Sequence, residues 1–434
     1  KMILEFSFSN FGPVGDTVTL SFEATSDETL SDHYVSKQSD DVRILKLGII
    51  YGPNASGKTT ILEALNMMRK LVVSPKDQKN DKIRYNKHLL GEKYKNKPTK
   101  FDLIFYCDAV KHKYSIAFDE NEILEEELIY YPNKRPAEVY SRRNTEDVSK
   151  LSFGSTIELS KKETIILEGN TLKNNTVLGS YSKSNISNKV FENIFGWFSN
   201  QLNPMIDPDT SIFQWTSSNI ENEKIQKEKV IEFLKRADLN ISDLEIIEEE
   251  QTLDERMLKI IDLMPASDEV KSDLKNRDNI ITKDIIFKHE FKGEDGKVRK
   301  MELETEFESN GTMRYYELAG PVLSAIENDQ FLFIDELDTS LHPDLMKHLV
   351  LSFLANSVEA QMIFTTHNTS FLMERDIFRN DVVWFTEKDN NGATELFSVS
   401  DFSSKEIRKI SSIFNAYRLG KLGAKPNTSG VFID

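Results

Sequence analysis

The sequence predicts an α/β protein, and three patterns predict it. The apolar run Leu47-Gly48-Ile49-Ile50-Tyr51 leads straight into Gly52-Pro53-Asn54-Ala55-Ser56-Gly57-Lys58-Thr59. Ile61, Leu62, Leu65, Met68, Leu71 and Val72 then follow at helical spacing, giving the order strand, tight loop, helix. Two more apolar runs, Phe331–Ile334 and Met362–Phe364, are short and unbroken, as buried strands are. Between these regions Phe101, Leu103 and Phe105, then Tyr114, Ile116 and Phe118, then Leu128 and Tyr130 alternate with polar residues, which is the pattern of an antiparallel lobe.

Taken in order, Met2 to Phe22 alternates around Asn10-Phe11-Gly12-Pro13 and reads as a β-hairpin. Ser26 to Asp41 is polar and reads as loop. Ser74 to Lys100, rich in Lys and Asn, reads as a mostly exposed connection. Phe153 to Leu178 carries weaker, strand-like pieces. From Asn188 the texture changes. Phe191, Ile194, Phe195 and Phe198 fall at helical spacing, as do Ile225, Val230, Ile231 and Leu234. With Glu248-Glu249-Glu250 and loops at Asn203-Pro204 and Asp207-Pro208, the stretch to Lys283 reads as an inserted, largely helical arm or lid. Strand pattern resumes at Ile285–Phe291 and Met301–Phe307 around the turn Glu294-Asp295-Gly296. The expected division is 1–187, an N-terminal lobe with the glycine-rich loop and an antiparallel sheet; 188–284, the insertion; and 285–434, a C-terminal lobe.

The chain has 434 residues, 39% hydrophobic and 29% charged, the balance of a globular protein with a sizeable core. Its formal net charge of −16 opposes diffuse nucleic-acid binding. Lys134-Arg135 and Arg142-Arg143 are the candidate local basic patches and are read as solvated surface. The single cysteine, Cys107, excludes an internal disulfide framework and is read as a small strand residue. No charged-then-apolar leader opens the sequence and no apolar run approaches the ~20 residues that span a bilayer. A cytoplasmic location without membrane contact is therefore expected.

Gly52 to Thr59 fits G-x-x-x-x-G-K-[ST], the phosphate-binding loop. Gly52 and Gly57 let the backbone turn tightly enough for successive N–H groups, those of Asn54, Ala55 and Ser56 among them, to face phosphate oxygens. Lys58 can reach the β- and γ-phosphates, and the Thr59 hydroxyl can ligate Mg²⁺. A helix beginning at Lys58, with Thr60 in its first turn, places its positive end under the phosphates. Phe331–Ile334 ends in Asp335-Glu336. The first carboxylate is assigned to Mg²⁺ and the second to deprotonating the attacking water. Met362-Ile363-Phe364-Thr365-Thr366-His367 ends in a histidine able to hydrogen-bond a γ-phosphate. Ser309, Gly311 and Thr312, ahead of the helical pattern Met313–Ile326, would make a second anion-binding helix end.

This set, in this order, resembles the ATP-binding-cassette ATPases: phosphate loop, Ser309-x-Gly311 signature, Asp335-Glu336, then His367. Leu337-Asp338-Thr339-Ser340-Leu341-His342-Pro343 is similar to the SMC, RecF and OLD-type branch. Glu308-Ser309-x-Gly311-Thr312, Phe364-Thr365-Thr366-His367-Asn368, Trp384-Phe385-x-Glu387-Lys388, Gly392-Ala393-Thr394-Glu395-Leu396 and Arg418-Leu419-Gly420-Lys421-Leu422-Gly423-Ala424 resemble the abortive-infection ATPases of the RloA or AbiL type. Such proteins often carry Asn-Phe-Arg-Ser where this chain has Asn10-Phe11-Gly12-Pro13. No loop supplying the usual Gln to the metal is identified, and no Toprim-like nuclease segment follows Lys388. The resemblance implies an ABC-type P-loop ATPase head with an antiparallel lobe and a helical insertion, using ATP and Mg²⁺. It implies that Ser309, Gly311 and Thr312 act in trans, in a homodimer or higher homo-oligomer. It implies a defence ATPase that senses a phage-derived trigger and controls a separately encoded effector, a Toprim-like nuclease by expectation. A DNA-repair or recombination ATPase that clamps DNA, and an ATP-binding scaffold with little turnover, are the alternatives.

Overall fold

The computed structural model describes residues 1–145, 148–155, 157–252, 279–374, 376–402 and 413–418. The chain divides into two compact units, one of residues 1–208, 325–339 and 349–434, the other of residues 209–324 and 340–348.

The first unit is built on a five-stranded sheet in the order Phe331–Ile334, Gln361–Thr365, Leu47–Tyr51, Val383–Lys388, Thr394–Ser398. The first four run parallel and the last is antiparallel. Every residue of Phe331–Ile334, Leu47–Tyr51 and Gln361–Thr365 is buried, which is why these strands are legible as unbroken apolar runs. Because they are parallel and in register, Phe331 beside Gln361 and Met362 beside Leu47, their C-terminal ends fall along one edge. Gly52, Asp335 and Thr366 follow those ends. Helix Lys58–Val73 buries Ile61, Leu62, Leu65, Met68, Leu71 and Val72, the face that the spacing predicts.

A seven-stranded antiparallel sheet completes this unit, in the order Val148–Phe153, Ala137–Thr145, Ile123–Tyr131, Val110–Phe118, Thr99–Cys107, Ile3–Ser9, Val18–Ser21. The expected N-terminal hairpin is present, with Phe6 opposite Leu20. Phe6, Phe8, Phe101 and Phe118 meet at ring-centroid distances of 5.1–6.2 Å. Buried Gln361 ties the two sheets: it accepts from the Ile3 amide at 2.6 Å and donates to the carbonyls of Ile3 and Leu45. Cys107 is a buried strand residue whose thiol burial pushes up to about 12, far from the reactive range.

Three expectations are corrected here. The stretch after Phe153 is helical, Lys161–Asn170 and Val177–Ser182. Ser160 and Glu163 form a reciprocal capping box, and Thr176 caps the second helix, a local signal stronger than the scattered apolar residues. Ser26–Asp41 is not all loop, since Val35–Lys37 pairs with Arg43–Leu45. Arg142 is not solvated surface. It is 1% exposed and donates to the carbonyls of Leu172, Lys173 and Asn175, next to the buried Glu126 carboxylate. Lys134 and Arg135 are exposed, as expected.

The second unit holds helices Phe213–Glu221 and Lys227–Arg236 and a three-stranded antiparallel sheet, Ile241–Thr252, Asn279–Lys292, Val298–Glu304. Within the described residues the arm is helical at Lys189–Gly196, Trp197–Gln201, Phe213–Glu221 and Lys227–Arg236 and departs from the helical reading at Ile241–Thr252, a strand paired from Ile241 opposite His289 to Thr252 opposite Asn279. The charge read as a helical surface is satisfied across the sheet, with Lys288 2.9 Å from Glu245 and Lys283 opposite Glu248. Strand Asn279–Lys292 runs through residue 284, where the sequence reading closed the insertion. The remainder of the arm, residues 253–278, lies outside the described residues. The turn at Gly296 is as read, with φ +73°.

Candidate functional site

The phosphate loop is fixed by tight backbone and by two strands behind it. Ala55 and Gly57 both have left-handed backbone, φ +63° and +101°, which turns consecutive N–H groups toward one side. A Cβ at Gly57 would run into the Thr394 side chain, and one at Gly52 into Thr386 and Ser56. Those two threonines hold the loop. Thr394 Oγ1 donates to the Ser56 carbonyl at 2.7 Å, and Thr386 Oγ1 lies 2.5 Å from Ser56 Oγ. Ser56 is thus a buried brace, its own N–H given to the Pro53 carbonyl. Asn54 and Ala55 are exposed, and Thr60 is buried beneath the loop.

Lys58 is 6% exposed. Its ammonium donates to the carbonyls of Gly52 and Pro53 at 3.0 and 3.2 Å, leaving a third donor for a phosphate. Burial lowers its pKa, while the carboxylates of Glu336, Asp335 and Asp338 pull it back up. Thr59 Oγ1 donates to Asp335 Oδ2 at 2.8 Å, and Thr365 Oγ1 donates to Asp335 Oδ1 at 2.6 Å. The same Thr365 hydroxyl accepts the Glu336 amide at 2.8 Å. Glu336 itself has φ +47°, a left-handed conformation that a non-glycine residue holds at a cost. His367 is exposed at the end of strand Gln361–Thr365, its amide 3.3 Å from both oxygens of Asp338. The loop, Asp335-Glu336 and His367 therefore come together at one sheet edge, within the first unit.

These residues fit a Mg²⁺-nucleotide. The cradle admits no side chain at Gly52 or Gly57, the buried cation faces it, and Thr59 with Asp335 offers one hydroxyl and one carboxylate. Among the described residues no group of three or more His, Cys, Asp or Glu is placed to hold a metal by itself. Mg²⁺ in such sites takes few protein ligands and completes its shell from phosphate and water.

Ser309, Gly311 and Thr312 lie in the second unit. Ser309 Oγ accepts the Thr312 amide at 3.0 Å and so caps helix Asn310–Asn328. Ser309 and Asn310 are exposed, leaving the first amides of a 19-residue helix free to face an anion.

Sequence reasoning missed four residues. Thr386 and Thr394 sit inside two of the resembling motifs, but only their distance from Ser56 shows their purpose. Asp207 was read as loop. It is loop, but what precedes it places it: Leu202 and Ile206 bridge in parallel to Phe331 and Ile334, and the Ile206 carbonyl accepts the Asp335 amide. Asp207 therefore leaves the sheet beside Asp335. Glu63, on the helix after the loop, feels both: burial first, then Asp335 and Asp207, raise its carboxyl above the ordinary range. Both line a cleft of about 1140 Å³ whose cations include Lys70, Lys82, Arg84, Lys87, Lys95 and Lys97. The sequence reading had looked for a basic patch elsewhere.

Residues 48–374 match the profile of the family AAA_21, described as "AAA domain, putative AbiEii toxin, Type IV TA system". The chain is also similar to three solved structures. One is an SMC head domain from Thermotoga maritima, 13% identical, covering 92% of this chain and 99% of that one, TM-score 0.39. The second is an SMC head bound to the C-winged helix domain of ScpA, 13% identical, covering 94% and 99%, TM-score 0.42. The third is an SMC head with an extended coiled coil bound to the C-terminal domain of ScpA, derived from Pyrococcus furiosus, 14% identical, covering 94% and 98%, TM-score 0.37. No curated protein matches. Among the described residues no helix is long and apolar enough to cross a membrane. Leu419 to Ala424 of the resembling C-terminal motif lie outside the described residues.

Proposed function

This chain belongs to the AAA_21 family, with an ABC-type P-loop ATPase fold, and from that premise we propose that it is an ATP-driven regulator in abortive-infection defence. Hydrolysis is divided among its own side chains as follows. Lys58 and the loop amides hold the β- and γ-phosphates. Thr59 and Asp335 would hold a Mg²⁺ ion, which would supply charge stabilisation to the phosphate oxygens. Glu336 accepts the proton of the attacking water, and His367 meets the γ-phosphate from the neighbouring strand. The family description, which names a toxin–antitoxin system, supports the defence setting; a separately encoded partner effector is part of the proposal. A phage-derived trigger and a Toprim-like nuclease are the proposed ends of that pathway.

The observation that carries the coupling is the exposed, Ser309-capped helix end. One phosphate loop and one such end per chain require two copies to complete two sites. ATP then favours the closed assembly because the γ-phosphate is contacted from both copies only there, and that differential affinity shifts the population. The test is a mixture. Gly311→Asp sets a carboxylate against the phosphates, while Lys58→Ala removes the main cation. Each alone is expected to be inactive. Together they are expected to recover turnover, because one interface carries both lesions and the other carries neither. Verified mixed assemblies without recovered turnover would refute a site shared between copies.

One observation favours the DNA-clamp reading, the cation-lined cleft beside Glu63. Under it, Lys82→Glu with Arg84→Glu and Lys95→Glu would abolish duplex binding measured by fluorescence anisotropy and flatten its salt dependence. Absence of duplex binding by the parent chain at low salt leaves the regulator reading alone.

A further inference from the structure

We propose that Glu308, held by His289, is a positioning residue that sets the Ser309–Gly311 segment for its encounter with nucleotide on a second copy. This rests on the reading that the segment acts in trans.

The route from the three-stranded sheet to the segment is short. Strand Val298–Glu304 pairs with Asn279–Lys292 down to Glu304 opposite Ile286. A single 3₁₀ turn, Thr305–Phe307, then reverses the chain, and its first residue is tied back to the central strand, Thr305 Oγ1 donating to Asp284 Oδ1 at 2.5 Å. The reversal brings Glu308 alongside His289, whose Nε2 meets Glu308 Oε1. Both side chains are largely covered, 13% and 6% exposed. Glu308 has extended backbone, φ −79° and ψ 154°, and the next residue is the capping Ser309. The two torsions of Glu308 therefore aim the free amides at the helix start.

A covered carboxylate is costly unless paired. Its attachment to His289 thus fixes the side chain, and with it the backbone direction, relative to the sheet. On the far side the segment is equally confined, since a Cβ at Gly311 would lie 3.1 Å from the Ser340 carbonyl. Held from both sides, the helix end has one orientation to offer. Without the His289 contact the Glu308 carboxylate turns toward water, and the segment loses its fixed aim. The amides still exist, but they no longer meet the γ-phosphate in the geometry of the transition state, where a displacement of about 1 Å costs on the order of a hundredfold.

The experiment uses the full chain with Glu308→Ala and, as the milder change, His289→Asn. Turnover is measured over a range of ATP concentrations, and affinity with a fluorescent ATP analogue. The expected result is a kcat lower by on the order of tenfold or more, with nucleotide affinity unchanged, since Lys58 and the loop are intact. The decisive readout is the complementation class. Mixed with Lys58→Ala, Glu308→Ala is expected to recover turnover; mixed with Gly311→Asp, it is not. A residue that only stabilised the fold would not sort in this way. Parent-like kcat, affinity falling in step with kcat, or recovery with Gly311→Asp overturns the proposal. If Glu308→Ala does not fold, His289→Asn is read by the same criteria. If Lys58→Ala with Gly311→Asp gives no recovery, the shared-site reading fails, and the split between kcat and affinity alone then decides whether Glu308 positions the segment.

Discussion

Glu336→Gln is expected to bind ATP as the parent chain does and to hydrolyse it on the order of 10²–10⁴-fold more slowly, the range that a positioned general base contributes. The substitution is nearly isosteric. The backbone of Glu336 is pinned by its amide bond to Thr365 Oγ1, and its φ of +47° is set by the turn after the strand rather than by the carboxylate. The contacts of Lys58 with the Gly52 and Pro53 carbonyls and of Thr59 with Asp335 do not involve the Glu336 side chain, which acts on Lys58 only through its charge, beside those of Asp335 and Asp338, so binding should survive. What is lost is a group able to take the water's proton, since an amide accepts a hydrogen bond but not a proton at neutral pH. Phosphate release at saturating ATP, measured beside nucleotide affinity, checks this. Parent-like turnover would remove Glu336 as the base and move attention to Glu63, whose carboxyl is already raised by burial and by Asp335 and Asp207.

Glu126→Ala is expected to lower stability by about 3–5 kcal/mol, the usual cost of stranding one member of a buried ion pair. The Glu126 and Arg142 side chains are both 0% exposed and 3.8 Å apart. Glu126 Oε1 also accepts from Tyr114 and Tyr140 at 2.8 and 2.7 Å, and Oε2 accepts the Val177 amide at 2.9 Å. Alanine removes the shared acceptor of Tyr114, Tyr140 and the Val177 amide and, with it, the negative charge that compensates Arg142. Burial raises the Glu126 carboxyl, with Arg142 the main opposing influence, so the pair is held by mutual satisfaction rather than by surplus attraction. Glu126→Gln, which keeps an acceptor oxygen for the two tyrosines and the Val177 amide, should therefore cost less than Glu126→Ala. The damage should reach the nucleotide helix, because Thr176, next to Val177, donates to the Leu71 carbonyl. Denaturant midpoints for the two variants test both statements; equal losses would show that the hydrogen bonds accepted by Glu126 are not what holds this lobe.

The candidate site was legible because it is written in consecutive residues. Gly52–Thr59, Asp335-Glu336 and Ser309–Gly311 each need their neighbours in sequence, and parallel strands buried on both faces announce themselves as unbroken apolar runs. The Asn279–Lys292 and Val298–Glu304 hairpin was legible for a related reason, a period of two around a glycine turn. The helix Lys161–Asn170 was also written locally, in Ser160 and Glu163, and was overlooked.

Partners distant in sequence settled the rest. Ile241–Thr252 is a strand because Asn279–Lys292 lies alongside it and supplies lysines opposite its glutamates; its own charge pattern suits an exposed helix equally well. Leu202–Ile206 extends the parallel sheet only because Phe331–Ile334 has an open edge there, and that pairing is what carries Asp207 to Asp335. Thr386 and Thr394 brace the phosphate loop from more than 300 residues away. Arg142 is ordinary basic sequence until Glu126 and three carbonyls enclose it. Sequence alone thus marked the candidate site residues, since phosphate chemistry demands fixed types at fixed spacing. Tertiary structure decided how they are held, because a buried polar group takes its meaning from the partner that satisfies it.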